Sequence, residues 1–301
     1  SESIDSANAV RKLVSVDKVD LVFGSVQSSN TLAGAPIAQK AKVPHLTPAS
    51  TNVKVTEVGN FVSRTCFIDD FQGAVMAKFA FNDLKAKKVS VIVDNSSDYS
   101  KGLAKAFIDE YTKLGGKILE GDLAYQQKDT DFRSLLRKLK RDNPDAIFLP
   151  GYYTEVGLIL NQARSMGIKV PFLGGDGWDS PKLQELAGAE GIKNNFLSSH
   201  FSPDDTDPRV QEFVRDYIKT YKAKPGAMAA LGYDGILVVA DSLKRAKSFK
   251  NTDVQTAINS TKDFIGVTGA ITIDANRNAK KSAVVLETTS KGNIFRTKVS
   301  P

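Results

Sequence analysis

The sequence is short of the side chains that most often build metal and redox centres. Its 301 residues contain one cysteine, Cys66, and two histidines, His45 and His200. A single cysteine cannot form a disulfide within the chain, and one thiol with two distant imidazoles is a poor set of metal ligands. We therefore predict no metal and no cofactor. Cys66 is expected in the core, and each histidine in the core or at a chain crossover.

Long hydrophobic runs and the common phosphate-binding and nucleophile motifs are also absent. No stretch fits G-x-G-x-x-G, G-x-x-x-x-G-K-[ST] or G-x-S-x-G, which argues against nucleotide-dependent enzymes and α/β-hydrolases. No apolar run is long enough to span a bilayer. The net charge of +7 is spread along predicted helices rather than concentrated in one patch, so we predict no nucleic-acid binding.

What is present is a regular alternation of short apolar runs and helical patterns. Such alternation predicts parallel sheets covered by helices. The predicted strands are 19–23, 43–46, 61–66, 89–94, 117–123, 146–149, 171–174 and 196–199. The predicted helices between them are 1–14, 29–41, 69–84, 99–114, 131–141 and 154–166. Three further helices, at 207–221, 227–246 and 253–261, are followed by strands at 267–273, 283–289 and 293–299, the last two forming a hairpin.

Small hydroxyl residues follow the first two predicted strands. One cluster is Gly24-Ser25-Val26-Gln27-Ser28-Ser29, and the other is Thr47-Pro48-Ala49-Ser50-Thr51-Asn52. Ligands bind at the carboxyl ends of the strands in open α/β sheets, and the first cluster also opens a helix, where free N–H groups favour an anion. The pattern predicts half of a carboxylate site. Ordinary helix capping and loop chemistry would use the same residues, and the two interpretations stay open on the residues alone.

The later strand ends carry a second set of candidates. Asp94–Tyr99, Pro150–Tyr153 and Gly174–Trp178 each follow a predicted strand. Glycine lets backbone approach a ligand closely, and tyrosine and tryptophan supply rigid walls with a polar tip. Packing at a helix start explains the tyrosines equally well, and turn chemistry explains the Gly-Gly-Asp-Gly loop.

The stretch GSVQSSNTLAGAPIAQKAKVPHLTPASTN, residues 24–52, resembles the corresponding region of the type I periplasmic solute-binding proteins of branched-chain amino acid transporters. The resemblance implies roles for the candidates above. Ser28 and Thr51, with Ala49 and Ser50 beside Thr51, bind the ligand carboxylate. An acidic residue, at the position of Asp176, binds the ligand ammonium, and tyrosines, at the positions of Tyr99 and Tyr152, close over it. We further expect Trp178, beside Asp176, to crowd the side-chain pocket.

The resemblance also implies the architecture: an α/β, two-lobed type I fold in which each lobe is a parallel-sheet, Rossmann-like sandwich and three hinge crossovers join the lobes. Residues 1–68 and 200–279 would form the first lobe, and 69–199 with 280–301 the second. The family opens with a strand, a helix and a strand that this sequence lacks. If the 301 residues are the whole molecule, we expect either a dimer that covers the exposed edge of the first lobe or a ligand site open on one side. If the protein does contain the missing strands, we expect a monomer.

The implied function is that of an extracytoplasmic binding protein, periplasmic or lipid-anchored outside the cytoplasmic membrane. It would capture a small amino acid, branched-chain or otherwise apolar, in the cleft between its lobes and deliver it to the membrane permease of an ABC transporter. Binding of an amide, a urea-like compound or an aromatic acid on the same fold is the alternative, and enzyme activity is a further one. Because a strand-end acid in a glycine-rich loop makes few contacts, we expect loss of Asp176 to cost affinity rather than stability.

Overall fold

The computed structural model describes residues 2–119, 121 and 123–301 of the chain. The chain packs as two compact units. Unit 1 comprises Ser1–Ile68, Thr206–Ser282 and Ser300–Pro301, and unit 2 comprises Asp69–Asp205 and Ala283–Val299. Residues 200–205, which the prediction puts in the first lobe, lie in unit 2. Residues 280–282, which it puts in the second lobe, lie in unit 1. The predicted lobe division itself stays a prediction.

Unit 1 is built around a three-stranded parallel sheet. Its strands Val22–Phe23, His45–Thr47 and Val62–Arg64 lie side by side in chain order, with Val22 opposite His45 and His45 opposite Val62. The strands are shorter than their apolar runs but lie where the alternation predicts them. A small antiparallel sheet of Phe264–Gly266, Gly269–Ile273 and Ala279–Lys280 completes the strands of this unit.

Helices cover the unit 1 sheet through apolar side chains. Val10 from the first helix packs with Val22, Ala38 and Val43, and Leu46 packs with residues of the last helix. The helices are Ser3–Ser15, Ser28–Ala41, Lys54–Glu57, Pro208–Tyr221, Ala227–Arg245 and Asn251–Asn259. Within the described ranges, no helix is long and apolar enough to cross a bilayer.

Unit 2 contains a seven-stranded mixed sheet. In spatial order its strands are Gly292–Val299, Ala283–Thr289, Asn195–Ser199, Phe172–Gly174, Ala146–Phe148, Lys88–Val91 and Lys117–Ile118. The first two form the predicted hairpin and pair antiparallel, and Ala283–Thr289 also pairs antiparallel with Asn195–Ser199. The neighbours from Asn195–Ser199 to Lys117–Ile118 are parallel. Two short parallel strands, Val93–Asp94 and Ala124–Tyr125, form a separate sheet. Of the predicted strand 117–123, Lys117–Ile118 is a strand, and residues 120 and 122 lie outside the described residues.

The unit 2 helices differ from the prediction in two places. The predicted helix 69–84 is α-helical over Asp69–Lys78 and continues as a π-helical turn over Phe79–Asp83. An additional helix, Pro181–Gly191, was not predicted. The other unit 2 helices are Asp98–Lys113, Arg133–Asp142 and Tyr153–Ser165.

Close helix packing in unit 2 depends on Gly73. A methyl group on this residue would lie 2.7 Å from Ala106 Cβ and 2.8 Å from the Phe107 backbone nitrogen. Backbone cannot yield as a flexible side chain can, so glycine lets helices Asp69–Lys78 and Asp98–Lys113 approach each other. Gly232, in helix Ala227–Arg245, has no such neighbour within 4 Å.

These two helical glycines give a matched test of the packing. We expect Gly73→Ala to lower the free energy of unfolding by about 1–3 kcal/mol, because the added methyl overpacks the helix contact. Gly232→Ala should raise it by about 0.5–1 kcal/mol, because alanine has the better helix propensity and meets open space. Urea denaturation followed by circular dichroism measures both. Equal effects of the two substitutions would contradict the close approach at Gly73.

Candidate ligand-binding site

In unit 1 the hydroxyl residues predicted at the two strand ends lie together. Thr47 Oγ1 donates to the Ser25 carbonyl at 2.7 Å, and Ser50 Oγ donates to the same carbonyl at 2.9 Å. The Ser50 hydroxyl also lies 2.6 Å from Thr31 Oγ1. Because Ser50 is fully buried and its hydroxyl is engaged within the protein, its side chain fixes the two loops against each other.

Ser28 is placed differently, although it too is fully buried. It is the first residue of helix Ser28–Ala41, and its Oγ accepts a hydrogen bond from the Asn52 backbone nitrogen at 3.2 Å. Since the oxygen accepts in that bond, the hydroxyl hydrogen is left to donate. Ala49 and Thr51, in the facing loop, are 5% and 1% exposed. Ser28 therefore joins the helix start to the Ala49–Thr51 loop.

A buried arginine binds the backbone of this loop. It was not predicted as part of the site. Arg64, on strand Val62–Arg64, is completely buried, and its Nη1 donates to the Ser50 carbonyl at 2.6 Å. Its Nη2 donates to the Asn52 carbonyl at 2.7 Å. Charge-assisted bonds of this kind are about twice as strong as neutral ones. The guanidinium therefore orients the backbone on either side of Thr51.

His45 is a core residue in unit 1, as predicted. It lies on strand His45–Thr47, is 1% exposed, and its Nε2 lies 2.9 Å from the Gly24 carbonyl oxygen. Burial lowers the pKa of His45 to about 4, which is partly offset by the hydrogen bond to Gly24. The imidazole is therefore neutral at the pH at which most proteins work.

In unit 2 Asp176 opens a short 3₁₀ turn, Asp176–Trp178, directly after strand Phe172–Gly174. Its carboxylate is buried and richly bonded. Oδ1 accepts from the Tyr99 hydroxyl at 2.9 Å and from Gln72 Nε2 at 3.2 Å, while Oδ2 lies 3.1 Å from His200 Nε2. The expectation that Asp176 makes few contacts is wrong, because its loop folds into the interior of the unit.

Tyr99 and Tyr152 stand beside that carboxylate as a stacked pair. Their ring centroids are 5.1 Å apart with planes inclined by 29°. Tyr99 also accepts a hydrogen bond from the Gly177 backbone nitrogen at 3.1 Å. Burial, and next the charges of Asp176 and Asp69, raise the pKa of Tyr99 well above its usual range, so the hydroxyl stays a donor.

Trp178 is a core residue. It is fully buried among the apolar side chains of unit 2, and its indole Nε1 donates to the Leu149 carbonyl at 3.0 Å. Its ring also fills the space in front of Gly174, where an added methyl would lie 2.1 Å from the indole. The single polar atom of Trp178 is therefore used within the fold, and a ligand contact by its ring stays a prediction.

Two residues that contact Asp176 were not predicted to take part in the site. Gln72 lies on helix Asp69–Lys78, and besides donating to Asp176 it accepts from Ser198 Oγ at 3.0 Å. His200 is buried, as predicted, and its imidazole also lies beside the acid. The sequence did carry a signal for His200, since it follows strand Asn195–Ser199 at the same edge of the sheet as Asp176.

Metal binding has no support in the described part of the chain. Residues 2–119, 121 and 123–301 contain no group of three or more histidine, cysteine, aspartate or glutamate side chains placed to hold an ion. The candidate residues instead offer neutral hydroxyl and N–H donors in unit 1 and, considered separately, a buried anion in unit 2. These groups complement a carboxylate and a cation respectively.

The chain is similar to known proteins whose names refer to branched-chain amino acids. Leu/Ile/Val-binding protein homolog 1 of Brucella abortus is 28% identical over 292 residues, which span 94% of this chain and 76% of that protein. The crystal structure of the leucine binding protein LivK from Thermotoga maritima superposes with a TM-score of 0.96 and 41% identity, covering 100% of this chain and 85% of that one.

A second solved structure gives the same picture. LivJ of Streptococcus pneumoniae, a branched-chain amino acid transporter substrate binding protein in complex with isoleucine, superposes with a TM-score of 0.93 and 35% identity. The match covers 100% of this chain and 85% of LivJ. These likenesses confirm the predicted type I α/β fold. Since the model of the periplasmic binding protein family also matches residues 5–293, this chain belongs to that family.

Proposed function

We propose that this protein binds a small apolar α-amino acid, such as leucine or isoleucine, and delivers it to the permease of an ABC transporter. LivK is a leucine binding protein and LivJ was solved in complex with isoleucine, and the two are 41% and 35% identical over the whole of this chain. The observation that carries the proposal is the pairing of chemistries: neutral donors at one set of strand ends and a buried carboxylate at the other.

The carboxylate of the amino acid is assigned to unit 1. Ser28 has a hydroxyl hydrogen to donate and stands at the start of a 14-residue helix, where the backbone N–H groups and the helix dipole favour an anion. Thr51 offers a second hydroxyl in a loop whose backbone Arg64 holds. Ala49 and Ser50 frame that loop, Ser50 through its structural hydrogen bonds.

The ammonium of the amino acid is assigned to Asp176 in unit 2. A carboxylate is the natural partner of an ammonium, and burial strengthens their attraction by excluding water. Tyr99 and Tyr152 would wall this group, with the Tyr99 hydroxyl orienting Asp176 Oδ1. A compound without an ammonium would leave the carboxylate short of a charge partner, which disfavours it.

The proposal also states that the protein does not catalyse a reaction of its ligand. The family and fold are those of solute-binding proteins, and we propose that the chain releases its ligand unchanged. A turnover assay, in which the amino acid is recovered and identified after incubation, tests this directly. We place the protein outside the cytoplasmic membrane. Membrane fractionation tests for a lipid anchor. Light scattering tests for the dimer expected if these 301 residues act alone.

The ligand class is best tested with a thermal-shift panel. It would contain the twenty amino acids, their amides, urea and benzoate, the last three standing for the alternative ligand classes. A stabilisation by leucine, isoleucine or valine that is absent with the corresponding amides supports the proposal. Stabilisation only by benzoate, urea or an amide would instead support the alternative, in which the ligand is an aromatic acid, a urea-like compound or an amide.

The carboxylate half-site predicts the effect of two hydroxyl deletions. We expect Ser28→Ala and Thr51→Val each to weaken leucine binding by about 1–3 kcal/mol, the usual range for a hydrogen bond to a charged group. Isothermal titration calorimetry measures the change, and Ser15→Ala, which removes a hydroxyl at an exposed helix end in the same unit, serves as the control. Unaltered affinity in both site variants would mean that the carboxylate is held elsewhere.

The ammonium half-site predicts the effect of neutralising one acid. We expect Asp176→Asn to weaken leucine binding by about 2–5 kcal/mol, because the isosteric amide keeps an oxygen for Tyr99 and Gln72 but removes the charge. Asp179→Asn is the matched control, since Asp179 lies three positions on and accepts from Ser199 Oγ at 2.7 Å. Circular dichroism establishes that both variants are folded. Equal affinities in the two variants would refute the ammonium role of Asp176.

A further inference from the structure

His200 is the histidine that the function described above leaves unused. Its Nε2 lies 3.1 Å from Asp176 Oδ2, and the exposed fractions of the two side chains are 0% and 4%. The other carboxylate oxygen, Oδ1, is bonded to the neutral donors of Tyr99 and Gln72. Among the described residues, His200 is therefore the one ionisable cation that pairs with the carboxylate proposed to bind the ligand.

Two cations cannot share one buried carboxylate without cost. A protonated imidazole 3.1 Å from Oδ2 would neutralise Asp176, and an incoming ammonium would then meet a like charge in a medium of low dielectric. A neutral imidazole donates its Nε2–H to the same oxygen and leaves the carboxylate its full charge. The charge that Asp176 offers to a ligand therefore depends on whether His200 is protonated.

We propose that His200 is a positioning residue whose proton competes with the ligand ammonium for Asp176. This inference rests on the proposed function. It adds that binding of the amino acid releases a proton whenever His200 is charged in the free protein. Histidine is the side chain whose ordinary pKa, about 6.5, lies in the range where periplasmic pH varies with the environment.

The direction of the effect follows from linkage. Because the bound ammonium disfavours the imidazolium, the complex holds fewer protons than the free protein, so affinity falls as the pH is lowered through the histidine range. One exchanged proton gives at most about a tenfold loss of affinity per pH unit. At alkaline pH, where His200 is neutral, the affinity should become constant until the ligand amine itself loses its proton.

The other titratable groups around His200 do not supply the same effect. Asp176 and Asp179 follow strand Phe172–Gly174, Asp69 lies on the helix that carries Gln72, and Tyr99 opens helix Asp98–Lys113. The ordinary pKa of an aspartate, about 3.9, lies well below that of histidine. The pKa of Tyr99 is raised well above its usual range by burial and by the charges of Asp176 and Asp69. Histidine is therefore the residue type of this set whose ordinary pKa, about 6.5, lies near neutrality.

The test measures leucine binding by calorimetry between pH 5.5 and 8 in two buffers with different enthalpies of ionisation. For the wild-type chain we expect affinity to fall with acidification and the heat to depend on the buffer, which reports released protons. His200→Gln keeps an amide donor for Asp176 and cannot titrate, so its affinity should be level over this range and its heat independent of the buffer. His45→Gln is the matched control and should keep the wild-type profile, because the low pKa of His45 puts its titration below this range.

A ligand-free measurement separates this inference from the proposed function. Nuclear magnetic resonance can follow the His200 imidazole in the wild-type chain and in Asp176→Asn, and the pairing predicts a lower titration midpoint in the variant. If leucine fails to bind but the midpoint shifts, the proposed function is wrong and the pairing stands. An unmoved midpoint, or a His200→Gln variant with the wild-type pH profile, would overturn the inference.

Discussion

The burial of one carboxylate, Asp176, is the constraint on which the organisation of unit 2 depends. Taking an ionised group out of water costs several kcal/mol unless polar partners replace the lost solvent. Tyr99, Gln72 and His200 supply those partners from three separate elements. Gly175 makes room for the arrangement, since a methyl group there would lie 2.4 Å from the Tyr99 hydroxyl oxygen. The loop sequence and the positions of the surrounding helices are therefore coupled through this carboxylate.

The same constraint explains which parts of the site sequence reasoning could find. Ser28, Thr51 and Asp176 each lie at or near a predicted strand end, and the carboxyl ends of parallel strands meet at one edge of a sheet. Gln72 lies 104 residues before Asp176 in the chain, on the inner face of a helix, where no local pattern distinguishes a ligand-orienting amide from a packed one. Arg64 was missed for a similar reason, because its role is visible only once the loop carbonyls that it binds are in place.

Among the secondary-structure elements, the errors fall where local signals conflict with tertiary packing. Helix Pro181–Gly191 has a capping residue, Ser180, and a proline in its first turn, both standard start signals. Its glycine-rich end obscured it, and Gly188 does break the helical geometry with a φ of 69°. The sequence predicts one helix over 69–84. Its periodicity does not reveal the change to π-helical hydrogen bonding at Phe79, because that change depends on the folded structure.

Unit 1 differs from unit 2 in its electrostatics, because neutral hydroxyl and N–H donors surround the start of helix Ser28–Ala41. Arg64 is present, but both Nη atoms donate to main-chain carbonyls, so its charge serves the loop. A buried arginine facing a ligand carboxylate would hold it strongly and release it slowly, because separating a desolvated ion pair leaves two unpaired charges. Under the proposed function, hydroxyl and N–H donors that stay oriented by Ser25, Asn52 and Arg64 would bind the ligand carboxylate selectively and still release it. That balance suits a protein whose task is to hand its ligand on.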